Sequence, residues 1–175
     1  METAKNALKH ATGPESPFKP GFKVPITHQD PPGRQGDLPI EAINTQLPTE
    51  DGGMQPYKAA GKLLDKKALI TGGDSGIGRA IALLYAMEGA DSMIVYLPEE
   101  EEDAQETKRQ VEKIGRACHL MSTDLRQFDN CKKVADAALE KFGRVNILVL
   151  KIWRSYDVAD RVLTIYSRST SPRSK

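Results

Sequence analysis

Ten consecutive residues, Thr71-Gly72-Gly73-Asp74-Ser75-Gly76-Ile77-Gly78-Arg79-Ala80, have the types and spacing that could do chemistry. They follow a short apolar run, Ala68-Leu69-Ile70, and open an apolar-periodic segment, Ile77 to Met87. Glycines let a backbone turn sharply and let an anion approach the main chain. A helix that starts there offers unpaired N–H groups and a positive dipole end to a pyrophosphate. Gly72, Gly76 and Gly78 form G-x-x-x-G-x-G, a variant of the commoner dinucleotide fingerprint G-x-G-x-x-G. A P-loop is excluded, because Arg79-Ala80 stands where Lys-Ser/Thr is required. A nucleophile elbow is excluded too, because Ser75 is not framed as G-x-S-x-G. A ligand-free turn between strand and helix remains the plain alternative.

The elements around this turn support the dinucleotide reading. Ile77, Ala80, Ile81, Leu84 and Met87 recur at helical spacing, which predicts a helix over about 75–88 with that face inward. Gly89-Ala90 reads as its C-cap. Strands are expected at Ala68–Ile70, Met93–Tyr96, Ala117–Met121 and Val145–Leu150, the last apolar on both faces as a central parallel strand is. Helices are expected over 99–114, with Ala104, Thr107, Val111 and Ile114 inward, and over 129–141, with Cys131, Val134 and Ala138 inward. Phe142-Gly143 closes the latter. Alternating strands and helices make an α/β fold with a parallel sheet, helices on both faces and right-handed crossovers.

The decapeptide resembles the cofactor turn of the short-chain dehydrogenase/reductase family. Tyr96-Leu97-Pro98-Glu99-Glu100-Glu101-Glu102-Asp103-Ala104 is similar to its glucose/ribitol dehydrogenase-like and aldehyde reductase-like branch. The likeness covers roughly 57–149. It implies the N-terminal half of a Rossmann-like doubly wound sheet, with NAD or NADP as cofactor. It also implies a small sugar alcohol, sugar or aldehyde as substrate of the full-length form, and a homo-oligomer. Carried onto this chain, the cofactor residues are Gly72, Asp74, Ser75, Gly76, Ile77, Gly78, Tyr96, Leu97, Asp124 and Leu125. Asp124 would reach the adenine amino group, and Leu125 would pack on the ring. In family members that prefer NAD, an acid at the end of the second strand bonds the ribose 2′-hydroxyl; Tyr96 or Leu97 holds that place here, which leans the expectation to NADP.

The likeness stops after Val149. The family has Asn-Asn-Ala-Gly there, and this chain has Leu150-Lys151-Ile152-Trp153. The family's catalytic Tyr-x-x-x-Lys pair has no match, since Asp160 follows Tyr156 and Thr170 follows Tyr166 at that spacing. No catalytic residue is carried over. The segment 151–175, basic and unlike the family, reads as the product of a shifted frame or retained intron, or as the tail of a short variant. Without a second half, the last strand becomes an open apolar edge, for which Val162–Tyr166 is a candidate cover.

Composition narrows the rest. The chain has 175 residues and a net charge of +1, which gives no field for nucleic acid or a membrane surface. No apolar run is long enough to span a bilayer, and Met1–Pro20 has no signal core, so the expected location is cytoplasmic. Cys118, Cys131 and the three histidines match no zinc spacing, and the acids Glu99–Asp103 suit a helix's first turn better than a metal. Nine of the eleven prolines lie between Pro14 and Pro56, so 1–62 reads as an extended, partly disordered arm before a domain at 63–150.

Overall fold

The computed structural model describes residues 21–151 apart from residues 24, 25, 27, 30–32, 41 and 52. The candidate strand Val162–Tyr166, Tyr156, Tyr166 and the segment Met1–Pro20 lie outside the described residues. The chain divides into two compact units, Met1–Lys58 and Ala59–Lys175. The first holds a 3-10 turn, Gln35–Asp37, and two short antiparallel strands, β1 (Gln46–Pro48) and β2 (Met54–Pro56). Thr49 N donates to Gly53 O at 3.0 Å between the two strands. The proline-rich reading gave this stretch no element.

The second unit carries β3 (Lys67–Thr71), α1 (Gly76–Met87), β4 (Asp91–Tyr96), α2 (Glu101–Lys113), β5 (Cys118–Ser122), α3 (Phe128–Phe142) and β6 (Ile147–Leu150). All four strands pair in parallel, in the order β5-β4-β3-β6. The chain therefore runs outward from β3 to β5, then crosses back over β3 to β6. This reversal sets the two helical layers. On one face, Ala82, Leu83 and Ala86 of α1 and Ala104 and Val111 of α2 pack on Ala68, Ile70, Ile94, Tyr96 and Cys118. On the other, Cys131, Val134 and Ala138 of α3 pack on Leu69, Met93 and Val95. Period-two alternation along β3 and β4 sends each side chain to its own layer. The α/β, doubly wound architecture is as expected.

Two burial expectations are corrected. Helix α1 buries Gly78, Arg79, Ala82, Leu83 and Ala86, not the face with Ile77, Ala80, Ile81, Leu84 and Met87. Ile77 is 70% exposed, and the other four are half-buried. The small residues at Gly78, Ala82 and Ala86 form a stripe that lets the helix lie close on the sheet, so bulk was a poor guide to its inner face. Ile114 is 38% exposed, because α2 ends at Lys113 and the chain turns at Gly115 with φ +94°. Strand β6, apolar on both faces, is half-buried throughout and stands at the edge of the described sheet, as expected for a chain that diverges after Val149.

The N-terminal ends of the strands are joined by polar bonds. Asp91 pairs with Lys67 and with Arg116 Nε at 2.9 Å, and accepts from Ala117 N at 3.0 Å. Lys67 N donates to Asn146 Oδ1 at 3.0 Å, and Asn146 N returns a bond to Lys67 O at 2.8 Å. Burial alone would raise the Asp91 carboxyl, but Lys67, the Ala117 amide and Arg116 outweigh it and hold it low. At the far end of α1, the Glu88 carboxylate accepts from Lys62 N at 2.7 Å and from Ala60 N. Those bonds bring residues 59–62 into the domain, a few residues before the expected boundary.

Candidate functional site

The glycine turn lies at the C-terminal end of β3, where the strand order reverses between β3 and β6. Ligands of open parallel sheets bind at such a place. Gly72 N donates to Val95 O at 2.7 Å, so the turn starts on the shoulder of β4. On the other side, Lys151 N donates to Thr71 Oγ1 at 3.0 Å, and Thr71 Oγ1 lies 3.3 Å from Lys151 O. Gly72 and Gly76 have φ of +60° and +53°, a conformation other residues adopt at a cost. Gly78 is required for a different reason: a Cβ there would stand 1.8 Å from Gly72 O, so its absence lets α1 begin against the turn. Ser75 is extended at the helix N-cap, with its carbonyl accepting from Arg79 N at 3.1 Å.

Asp74 is 2% exposed, and its carbonyl is the best-anchored group of the turn. It accepts from Arg79 Nε at 2.9 Å and from Thr107 Oγ1 at 2.7 Å. Arg79 itself is 4% exposed. Its Nε also reaches Thr107 Oγ1 at 2.8 Å, and its terminal nitrogen reaches Asp103 O and Asp103 Oδ1, both at 2.9 Å. Sequence reasoning used Arg79 only to exclude a P-loop and took Asp103 as one more helix-start acid. The available signal was that Asp103 and Thr107 fall one turn apart on the α2 face that also holds Ala104 and Val111.

The end of β4 differs from expectation. Tyr96 is buried; its hydroxyl donates to Glu101 Oε2 at 2.7 Å, and its carbonyl accepts from Thr123 N at 2.9 Å. Burial and then the Glu101 bond push its phenol well above the ordinary range. Leu97 is half-buried, and its amide donates to Glu100 Oε2 at 3.0 Å. A 3-10 turn, Pro98–Glu100, folds that carboxylate back over the strand end. Burial raises the Glu100 carboxyl; the Leu97 bond opposes this, and the nearby Asp74 charge adds to it. The lean to NADP rested on there being no carboxylate at this place. Glu100 supplies one, three residues after Leu97 and one 3-10 turn later.

Asp124 stands past the end of β5, half-buried, and accepts from Arg126 N at 2.9 Å. The Arg126 guanidinium grips both its oxygens, with the shortest contact 2.6 Å, and holds its carboxyl below the ordinary value. Leu125 is buried in the α3-side core. Ile77 projects from the first turn of α1 into solvent. The Lys151 side chain lies against the turn: its Cδ would meet a Cβ on Gly72 at 2.9 Å. The structure thus gathers Gly72, Asp74, Ser75, Gly76, Gly78, Leu97 and, unforeseen, Glu100 and Lys151 around one sheet end. Both cysteines are buried thiols outside any disulfide, Cys131 Sγ donates to Leu125 O at 3.3 Å, and burial pushes the Cys118 thiol up to about 11. Among the described residues no group of His, Cys, Asp and Glu could hold a metal, and no helix is long and apolar enough to cross a membrane.

Known proteins share this arrangement. The short chain dehydrogenase family pattern matches residues 66–151. An uncharacterised oxidoreductase of Bacillus subtilis is 42% identical over 137 residues, covering 77% of this chain and 43% of that protein. The glucose and ribitol dehydrogenase homolog of Oryza sativa is 38% identical over 138 residues, covering 75% of this chain and 46% of that protein. Both matches are longer than everything after Lys58, so they reach into the proline-rich arm. Among solved structures, the acetoin dehydrogenase of Enterobacter cloacae aligns with a TM-score of 0.55 and 26% identity, over 60% of this chain and 49% of that one. The chain spans about half the length of the curated relatives it matches.

Proposed function

Through residues 66–151 this chain belongs to the short-chain dehydrogenase family, and from that premise we propose that it carries the dinucleotide-binding half of an NAD(P)-dependent oxidoreductase. The observation that carries the reading is the glycine turn at the reversal of strand order, with Gly78 packed on Gly72 O and α1 starting there. A pyrophosphate laid on the turn meets main-chain N–H groups at the start of α1. The adenosine then runs toward Leu97, Asp124 and Leu125 at the ends of β4 and β5. Asp124 meets the adenine amino group while remaining bonded to Arg126.

Glu100 turns the cofactor proposal from NADP to NAD. On this reading the Glu100 carboxylate, bonded to Leu97 N at the end of β4, accepts from the ribose 2′-hydroxyl of NAD and would repel a 2′-phosphate. A nicotinamide cofactor supplies hydride transfer when bound; this chain's residues hold and orient its adenine side. The substrate is proposed as a small sugar alcohol, sugar or aldehyde oxidised or reduced at a CH–OH or carbonyl carbon, and the full-length form as a cytoplasmic homo-oligomer. The name of the rice relative supports that substrate class.

A second reading follows from the sequence after Val149, where no family catalytic residue can be matched. On that reading the chain binds the nucleotide without turning it over. The test is one preparation of the 175-residue chain assayed with NAD and NADP against ribitol, glucose and small aldehydes. Turnover supports the oxidoreductase reading. Saturable nucleotide binding without turnover supports the binding half-domain. Absence of both overturns each.

A further inference from the structure

We propose that Arg79, acting with Asp103 and Thr107 of α2, is a positioning residue that holds the phosphate turn in its binding conformation before any ligand arrives. This rests on the dinucleotide reading above and adds a residue set that neither the glycine pattern nor the family likeness assigns.

The turn from Gly72 to Gly76 has three glycines in five residues, so its own sequence does little to fix its shape. Its middle residue is fixed from outside. Asp74 O receives Arg79 Nε and Thr107 Oγ1, and Arg79 is in turn held by Asp103 through both a carbonyl and a carboxylate oxygen. A buried guanidinium is costly unless its charge is paired and its donors are used. Asp103 meets that need, and it is the one buried acid of the run Glu99–Asp103. The remaining four acids are exposed or half-exposed, as residues of a helix's first turn are.

The geometry also explains why this residue is Arg and not Lys. Nε serves Asp74 and Thr107, and the terminal nitrogen serves Asp103. Lys has one nitrogen and cannot span both groups from a fixed position. Because α2 is anchored on the sheet between β4 and β5, the fork ties the turn to a rigid neighbour. Ordering the turn in advance removes that entropy cost from ligand binding.

The test uses the full 175-residue chain with ADP as the probe, and follows the dissociation constant, the thermal midpoint and hydrogen exchange of the Gly72–Gly76 amides. Wild type, Arg79→Lys, Thr107→Val and a control, Lys67→Met, are compared at a temperature where all are folded. Lys67 lies at the opposite end of β3 and breaks the Asp91 pair instead. The expected result for Arg79→Lys is about tenfold weaker ADP binding, near 1.4 kcal/mol, with faster exchange confined to the turn. Thr107→Val keeps the ion pair and is expected to weaken ADP about threefold, the corresponding share of one lost neutral bond. Lys67→Met should lower the midpoint and leave ADP affinity unchanged. If Arg79→Lys and Thr107→Val lower the midpoint but keep wild-type affinity, the residues are structural only and the proposal fails. A wild-type chain that is folded yet does not bind ADP overturns the dinucleotide reading and this proposal with it.

Discussion

At the scale of single residues, the site is defined as much by carboxylates as by glycines. Glu100 accepts from Leu97 N and stands near Asp74, so Glu100→Gln keeps an acceptor for the amide while removing a charge. That substitution is expected to narrow a preference for NAD over NADP by about tenfold, on the scale of 1.4 kcal/mol for one charge contact. Parallel titrations of the two cofactors check it; an unchanged ratio assigns the discrimination elsewhere. Lys151 gives a second expectation. Its main chain bonds Thr71, but its side chain lies over Gly72, on the path of the proposed pyrophosphate. Replacing it with Ala leaves the main-chain bonds in place, so any change in affinity for ADP reports the side chain alone. A lysine that only occupies the space gives tighter binding on removal, which is the expected result; weaker binding would make it a phosphate contact.

At the scale of elements, the turn and the strand ends make different demands. Gly76→Ala meets open space but a φ of +53°, and is expected to cost about 1–2 kcal/mol. Gly78→Ala drives a methyl into Gly72 O and must shift α1, which costs more, about 3 kcal/mol or greater, and removes nucleotide binding. Denaturant melts of the two variants order them; equal losses would mean the close approach of α1 is not needed. The strand starts hinge on Asp91. Its carboxyl is held below the ordinary value of roughly 4, so the stability it contributes is complete above that pH and is lost as pH falls through the lowered value. Asp91→Asn is expected to lower stability at neutral pH by roughly 1–3 kcal/mol and to flatten that acid limb. Element identity was legible in the sequence because apolar runs and periods mark the strands and helices from Lys67 onward, with Gly72, Gly89, Pro98, Gly115 and Gly143 breaking several of them. The inner face of α1 was not, because Arg79 is charged and Gly78 and Ala82 are small. Neither fact shows in a pattern of bulky residues, and the partner that permits a buried Arg lies 24 positions away on α2.

At the scale of the whole molecule, the described sheet ends at β6, whose residues Ile147 to Leu150 are only half-buried. An apolar edge strand invites pairing with another chain. The 175-residue chain is therefore expected to self-associate with rising concentration, as read by light scattering; a cooperative melt of a stable monomer would count against this. The glycine turn, the order of elements and the family were all legible in Thr71–Ala80 and in the acidic run after Tyr96. Glu100 and Lys151 were not, since a 3-10 turn in one case and a strand end in the other bring them to the site. The most direct test of the account is a titration of the purified, folded chain with NAD, followed by the rise in thermal midpoint that binding to the native state must produce. The expected result is a wild-type midpoint that climbs steadily with NAD concentration and a Gly78→Ala midpoint, starting from a folded protein, that does not move. A folded wild-type chain whose midpoint does not move with NAD, NADP or ADP would contradict it.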